Sequence, residues 1–241
     1  MTEIDRKIHA LNTEKGRYRH DVITFLKQLV STPSPSKNEH KVAQLVIKEM
    51  RHLGYDSVRK DDIGNVIGTI GKGSPTILYD AHMDTVGIGD EKKWKYPPYS
   101  ARIIGGKLFG RGASDDKGCI AAMVYAGAIA KHLGLLRGIT LHVVASVQEE
   151  LAEGEGMEYL FSKGRLRPDI VLIGEPTNLC IAYGNRGKVG LRITVRGRSG
   201  HAGLPEKTDN LIFRTSEIAL KTKQLEKHII SLIALSGKLI F

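Results

Sequence analysis

The apolar run Ile77-Leu78-Tyr79 gives way within a few positions to Asp80, His82 and Asp84, so that 77–86 reads as a buried strand ending on polar groups. Residues two apart in extended chain point to the same side. His82 and Asp84 can therefore act together, one ring nitrogen free for a ligand and the carboxylate orienting the ring from behind. Two later apolar runs end in the same way. Ile139 to Val147 breaks off at Gln148-Glu149-Glu150, and Asp169 to Ile173 breaks off at Gly174-Glu175-Pro176-Thr177. If the three are neighbouring parallel strands, their carboxyl ends share one sheet edge, which is where open α/β folds place their sites.

The remaining pattern supplies the helices and turns. Val22, Ile23, Phe25, Leu26, Leu29 and Val30 have helical spacing, and the segment 17–30 stops before Ser31-Thr32-Pro33-Ser34-Pro35-Ser36, which cannot continue a helix. Asn38 is placed to cap a second helix over 39–53, with Val42, Leu45, Val46 and Met50 as its apolar stripe and Gly54 as its stop. Short extended segments follow at 55–59 and 65–70, then a turn at 71–75 that lacks the spacing of a phosphate loop. Gly87 to Tyr99 is a polar loop carrying Trp94, expected at the rim of the site. Gly105-Gly106 joins 100–104 to 107–109 as a hairpin. A helix over 116–133, strand 139–147, helix 157–163 and strands 169–173 and 180–183 complete the series.

Strand and helix alternate, so the expected class is α/β, a mostly parallel sheet flanked by helices. A boundary is expected near Gly184-Asn185-Arg186-Gly187, giving a domain over 1–185. Beyond it, 188–197 alternates polar and apolar residues as a strand with one wet face does. A loop at 199–205 and a helix started by Asp209 and running to about Lys221 follow. Residues 186–241 therefore read as the start of an α+β two-layer domain.

The chemistry gathers at the strand ends and in Gly110-Arg111-Gly112-Ala113-Ser114-Asp115-Asp116-Lys117-Gly118, which leads into the helical 119–131. Singly, each group has an ordinary structural role: His82 a strand-end histidine, Asp115 a helix N-cap, Glu149-Glu150 a solvated turn, Glu175 a surface acid. Together, each at a strand end or helix start, they form the imidazole and carboxylate set that suits a zinc-type ion.

Composition narrows the class without changing it. The chain has 241 residues, 41% hydrophobic and 26% charged, which is ordinary for a globular protein. Its N-terminus lacks the apolar stretch of a signal peptide, and no apolar run reaches the ~20 residues of a membrane span. Cys119 and Cys180 fall in a predicted helix and strand and read as reduced core residues, so a cytoplasmic location is expected. The net charge of +10 is spread over helix faces (Lys41, Lys48, Arg51) and turns (Lys72, Lys92, Lys93) without aromatic interleaving. It reads as solvated surface, with neither nucleic acid nor membrane as a partner.

Five segments in register, Asp80-Ala81-His82-Met83-Asp84, 110–118, Glu149-Glu150, Gly174-Glu175-Pro176-Thr177 and Gly200-His201-Ala202, resemble the signatures of the dizinc aminoacylase and carboxypeptidase family. That family includes acetylornithine deacetylase, succinyl-diaminopimelate desuccinylase and glutamate carboxypeptidase, and the wording is most similar to its hydrolases associated with selenium metabolism. The resemblance covers about residues 21–217. It implies that His82 binds a first zinc with Asp84 orienting it, that Asp115 bridges two ions, and that Glu175 completes the first site. It further implies that Glu150 binds the second zinc, with cobalt(II) as a substitute, and that Glu149 is the general base. His201, in a lid domain, would reach the active site of a partner subunit in a homodimer and stabilise an oxyanion. The implied substrate is a small N-acyl amino acid or peptide, with an aminopeptidase acting on di- or tripeptides as the alternative.

The chain departs from the family pattern at one place. The family's second zinc takes a further histidine from a segment after the lid, and here only His228 lies downstream of His201, too close to the lid helix to serve. The first site then has three candidate ligands, a normal catalytic number, and the second only Asp115 and Glu150. The expectation is one firmly bound zinc, a weak second site and impaired hydrolysis, down to a non-catalytic metal-binding remnant. The ending 229–236, unlike the family, reads as a truncation by frameshift or premature stop that leaves apolar surface exposed.

Overall fold

The computed structural model describes residues 3–152, 154–164, 166–184 and 192–235. They divide into two compact units, Met1–Ala182 and Tyr183–Phe241. In the first, helices α1 (Glu3–Arg17), α2 (Arg19–Ser31) and α3 (His40–His52) precede strands β1 (Ser57–Lys60), β2 (Val66–Ile70) and β3 (Thr76–His82). The hairpin β4 (Arg102–Ile104) and β5 (Lys107–Phe109) follows, then α4 (Lys117–His132), β6 (Thr140–Ser146), α5 (Glu149–Ala152), α6 (Glu155–Ser162) and β7 (Ile170–Ile173).

The five-stranded sheet has the order β1-β2-β6-β3-β7. β3 pairs in parallel with β6 on one side and β7 on the other, while β2 is antiparallel to both β1 and β6. β2 alone therefore runs against the rest, and the mostly parallel sheet expected from the alternation is present. Register brings His82 opposite Ser146, and Asp80 opposite both Val144 and Ile173. The three strands end together.

Alternation along the strands sorts two packed faces. Leu141, Val143 and Ala145 of β6, Val66 and Ile70 of β2, and Ala81 of β3 pack under α2, α3 and α4 against Phe25, Leu29, Val46, Met50, Ile120 and Val124. The opposite face carries a smaller cluster of Ile67, Leu78, Val144 and Leu160. Gly68 lets α3 approach, because a Cβ there would lie 2.6 Å from Met50 Sδ and 2.7 Å from the Tyr55 ring. β7 is different: Ile170, Val171, Leu172 and Ile173 are all exposed.

Several expectations need correction. The polar N-terminal stretch forms α1, which no apolar stripe announced. α3 starts from Glu39, not from Asn38, and no side-chain cap bond is made. Glu149-Glu150 opens a short helix and not a solvated turn. Residues 180–183 form no strand; the chain turns through Asn178 and Leu179, both at positive φ, and leaves Ile181 and Cys180 exposed. Cys180 is consequently no core residue, whereas Cys119 is half-buried, and both thiols are free.

In the second unit, residues 192–197 have no regular structure in place of the expected strand, and residues 188–191 of that prediction lie outside the described residues. A 3₁₀ turn (Pro205–Lys207) precedes α7 (Leu211–Leu235), longer than the expected helix to Lys221. Asp209 does not cap it. Its carboxylate accepts from the Arg198 N–H at 2.8 Å and pairs with Arg214 at 2.7 Å, while Asn210 Oδ1 accepts from the Ile212 and Phe213 N–H groups. The side chain of His228 and the residues 236–241 lie outside those described. Among the described residues no helix is long and apolar enough to cross a membrane.

Candidate metal centre

The polar strand ends expected to meet do meet. β3 delivers His82, buried to 2% exposure, at the carboxyl edge of the sheet. Its main-chain N–H donates to Asp116 Oδ2 at 3.0 Å, which ties the strand end to the first turn of α4 and sets Asp115 over the ring. The Gly174 N–H donates to the Asp80 carbonyl at 2.7 Å, continuing the β3 to β7 pairing and placing Glu175 beside the same ring. Glycine is needed here, since a Cβ on Gly174 would come within 2.8 Å of Cys119 Cβ.

One ligand atom from each of His82, Asp115 and Glu175 lies within 4.8 Å of the others. His82 Nε2 is 3.0 Å from Asp115 Oδ1 and 3.8 Å from Glu149 Oε2. On the other side of the ring, Nδ1 donates to the main-chain oxygen of Asp84 at 3.0 Å and sits 3.4 Å from Asp84 Oδ1. The ring is thus held from behind by Asp84, with Nε2 turned to the acids. Glu150 is outside that trio of ligand atoms; its Oε1 accepts from the Val86 N–H at 3.3 Å, which also brings the start of the 87–99 loop to this edge. His201 belongs to the second unit, where its Nδ1 accepts from the Gly203 N–H.

Electrostatics follow from many carboxylates around one imidazole. Burial disfavours the imidazolium of His82, but the Asp84 hydrogen bond and the charges of Asp116, Asp84 and Glu149 outweigh it and raise the pKa to about 10. Burial pushes Glu149 above the ordinary carboxylate range; the His82 charge opposes this, and Glu150, Asp84 and Asp115 add to it. Glu175 is raised for the same reasons, burial first. Burial would raise Asp84 too, yet hydrogen bonds from His82, Ser36 and the Glu149 and Glu150 amides hold it below the usual value. The excess of negative oxygen around a nitrogen donor fits a divalent ion, and the donor types are those of zinc-class sites.

Four contributors are given no individual role by the sequence, although two of them, Asp116 and Lys117, lie within the stretch 110–118. Asp116, fully buried, holds the strand end and is raised to about 7 by burial. Lys117, also fully buried, donates to the Thr32 carbonyl at 2.7 Å and so fixes the start of α4 to the end of α2. Ser36 Oγ donates to Asp84 Oδ2 at 2.6 Å, and Glu39 Oε1 accepts from the Gln148 N–H at 3.2 Å. The run of serines and prolines after α2 reads as a helix breaker, and only its long-range bonds reveal a second use.

Residues 78–228 match Peptidase family M20/M25/M40. The chain is 40% identical over 217 residues to "Uncharacterized protein YgeY" of Escherichia coli (strain K12), covering 90% of this chain and 54% of that protein. It is 31% identical to a "Probable succinyl-diaminopimelate desuccinylase" of Staphylococcus epidermidis, covering 86% of this chain and 53% of the relative. The chain spans about half the length of the curated relatives it matches. Among solved structures, human carnosine dipeptidase 1 aligns with a TM-score of 0.59 at 19% identity, covering 69% of this chain and 41% of the other, a likeness of fold. With the family match extending over most of the chain and including every acid and the imidazole of the cluster, the chain belongs to Peptidase family M20/M25/M40.

Proposed function

We propose that this chain carries the catalytic half of a metal-dependent hydrolase that cleaves an amide bond in a small N-acyl amino acid or peptide. The observation that carries the proposal is the convergence of His82, Asp115 and Glu175 within ligand distance of one another, with Glu149 on the same side of the ring. A zinc ion bound there would lower the pKa of a bound water toward ~7 and polarise the scissile carbonyl. His82 offers Nε2 to it because Asp84 occupies Nδ1, and Asp115 and Glu175 supply oxygens. Asp115 and Glu150 are the acids available to a second ion.

Glu149 is the general base. Its pKa is raised by burial, which suits a carboxylate that takes a proton from water and returns it to the leaving nitrogen, a role worth ~10²–10⁴-fold. The new C–O bond forms first, which leaves the former carbonyl oxygen as an oxyanion; the C–N bond then breaks, and the nitrogen leaves as an amine carrying the proton that Glu149 took from the water. His201 is the proposed donor to the oxyanion, reaching a partner subunit if the protein forms the family's homodimer. The similarity to a relative described as a probable succinyl-diaminopimelate desuccinylase supports an acylated amino acid as the substrate.

Side-by-side assays of N-acyl amino acids and free-amine dipeptides with zinc- or cobalt-loaded protein test this reading. Turnover of one class is expected, abolished in Glu149→Ala with metal content unchanged. Zinc bound without turnover of either class would reduce the chain to a metal-binding module, and an equally active Glu149→Ala would remove Glu149 from its role.

A further inference from the structure

The elbow that presents Glu149 is held by side chains from three distant parts of the fold. As the chain leaves β6, four consecutive main-chain N–H groups donate to side-chain oxygens. Val147 donates to Asn65 Oδ1 at 3.0 Å, Gln148 to Glu39 Oε1 at 3.2 Å, Glu149 to Asp84 Oδ1 at 3.1 Å and Glu150 to Asp84 Oδ2 at 3.1 Å. Asn65, Glu39 and Asp84 are all buried. Asn65 is itself fixed by Asp61 Oδ2 and the Gly156 carbonyl. These amides need such partners because the first N–H groups of a helix have no acceptor within it.

Gln148 is the residue under constraint. Its φ of 60° lies in the left-handed region that side-chain-bearing residues avoid, and such a conformation persists only where the surroundings enforce it. The enforcing contact is Glu39. That carboxylate also accepts from the Lys37 N–H at 2.9 Å, and both of these partners are main-chain amides. A buried carboxylate that bonds an amide 109 residues away joins the start of α3 to the elbow. The direction in which Glu149 leaves the chain, toward His82 Nε2, is set by the residue before it.

We propose that Glu39 is a positioning residue for Glu149, acting through the Gln148 amide to hold the Glu149 carboxylate at the metal cluster. The inference rests on the reading of Glu149 as the base. Glu39 touches none of His82, Asp115 or Glu175, so its loss leaves metal affinity as it is and changes only the aim of the carboxylate. A misplacement of about 1 Å costs a catalytic group roughly 10²-fold.

The test compares Glu39→Ala, Glu39→Gln and Glu39→Asp in the full chain, read by amide hydrogen exchange and by steady-state kinetics on whichever substrate class is turned over. Exchange at Gln148 is expected to quicken at least ~10-fold in Glu39→Ala, with the β6 amides unchanged, because a bonded N–H becomes an open one. In the same variant kcat is expected to fall ~10–10²-fold with KM and zinc affinity within about twofold of wild type. Glu39→Gln keeps an acceptor oxygen and is expected to restore both readouts. Glu39→Asp, one methylene short, gives the loss if the alanine variant does not fold. Unchanged exchange at Gln148 overturns the inference, as does equal loss in Glu39→Gln, which would assign Glu39 an electrostatic role. If Glu149→Ala retains turnover, the base reading fails by itself, and the exchange readout still decides whether Glu39 holds the elbow.

Discussion

Replacing Asp84 by Asn tests the centre of the site with almost no change of shape. Asp84 is fully buried, and its two oxygens accept from Ser36 Oγ at 2.6 Å and from the Glu149 and Glu150 N–H groups at 3.1 Å each, with His82 Nδ1 at 3.4 Å. Asn supplies one acceptor and one donor where two acceptors are required. The cheaper placement turns its NH₂ toward Ser36, whose hydroxyl can rotate to accept, and that leaves the Glu150 N–H facing a donor. One charge-assisted bond is lost and the others weaken, so a loss of ~2–4 kcal/mol is expected, a large part of the ~5–15 kcal/mol typical of a domain. Zinc affinity should fall ~10–10²-fold because the ring loses its carboxylate partner.

Urea unfolding of the metal-free protein, followed by circular dichroism, measures the first effect, and calorimetric titration with Zn²⁺ the second. The pH dependence has a definite sign. The folded pKa of Asp84 is lowered, so its stabilisation is present above the unfolded value near ~4 and is lost as the pH falls through the folded one. That acid-side loss should shrink in D84N. Unfolding within ~0.5 kcal/mol of wild type together with an unchanged zinc affinity would refute the assignment of Asp84 as the joint between ring and elbow.

Two further outcomes follow from the same geometry. His82, raised to about 10 in the metal-free protein, stabilises the fold fully below the unfolded value of ~6.5 and loses that contribution as the pH rises through about 10. A metal needs the neutral ring, so zinc uptake at pH 7 should release about one proton and tighten as the pH rises; titration enthalpies that are independent of the buffer would contradict this. Leu160→Ala removes a fully buried member of the small cluster with Ile67, Leu78 and Val144, on the face of β3 opposite α4. A loss of ~2–5 kcal/mol is expected in the urea midpoint, and a loss below ~1 kcal/mol would mean that this face contributes little.

The strand ends were legible because an apolar run that stops abruptly at polar groups is a property of the local chain. The runs at 77–86, 139–147 and 169–173 stop where their polar residues begin, and the parallel register β6-β3-β7 then carries His82, Glu149 and Glu175 to one edge. The turn at Gly105-Gly106 was legible for a similar reason, both glycines adopting the positive φ that a tight hairpin demands. Capping was less so. Asn38 and Asp209 have the chemistry of caps, but Glu39 starts α3 and Asp209 is engaged by Arg198 and Arg214, so Asn210 caps α7 instead. A local preference of ~1 kcal/mol yields readily to a stronger partner elsewhere.

Residue types and their spacing were enough to establish the α/β class, the three polar strand ends and the imidazole with its acids. Which oxygen serves which amide was decided by tertiary structure alone. Ser36 reaches Asp84 across 48 residues, Asn65 reaches Val147 across 82 and Glu39 reaches Gln148 across 109. Nothing near any of them in the chain distinguishes a serine in a helix-breaking run, or a glutamate before a helix, from its solvent-facing counterparts. Hydrophobic periodicity is written into neighbouring residues, whereas a buried acceptor acquires its donor only when packing brings two strands and a helix start together and excludes the water that would otherwise satisfy both.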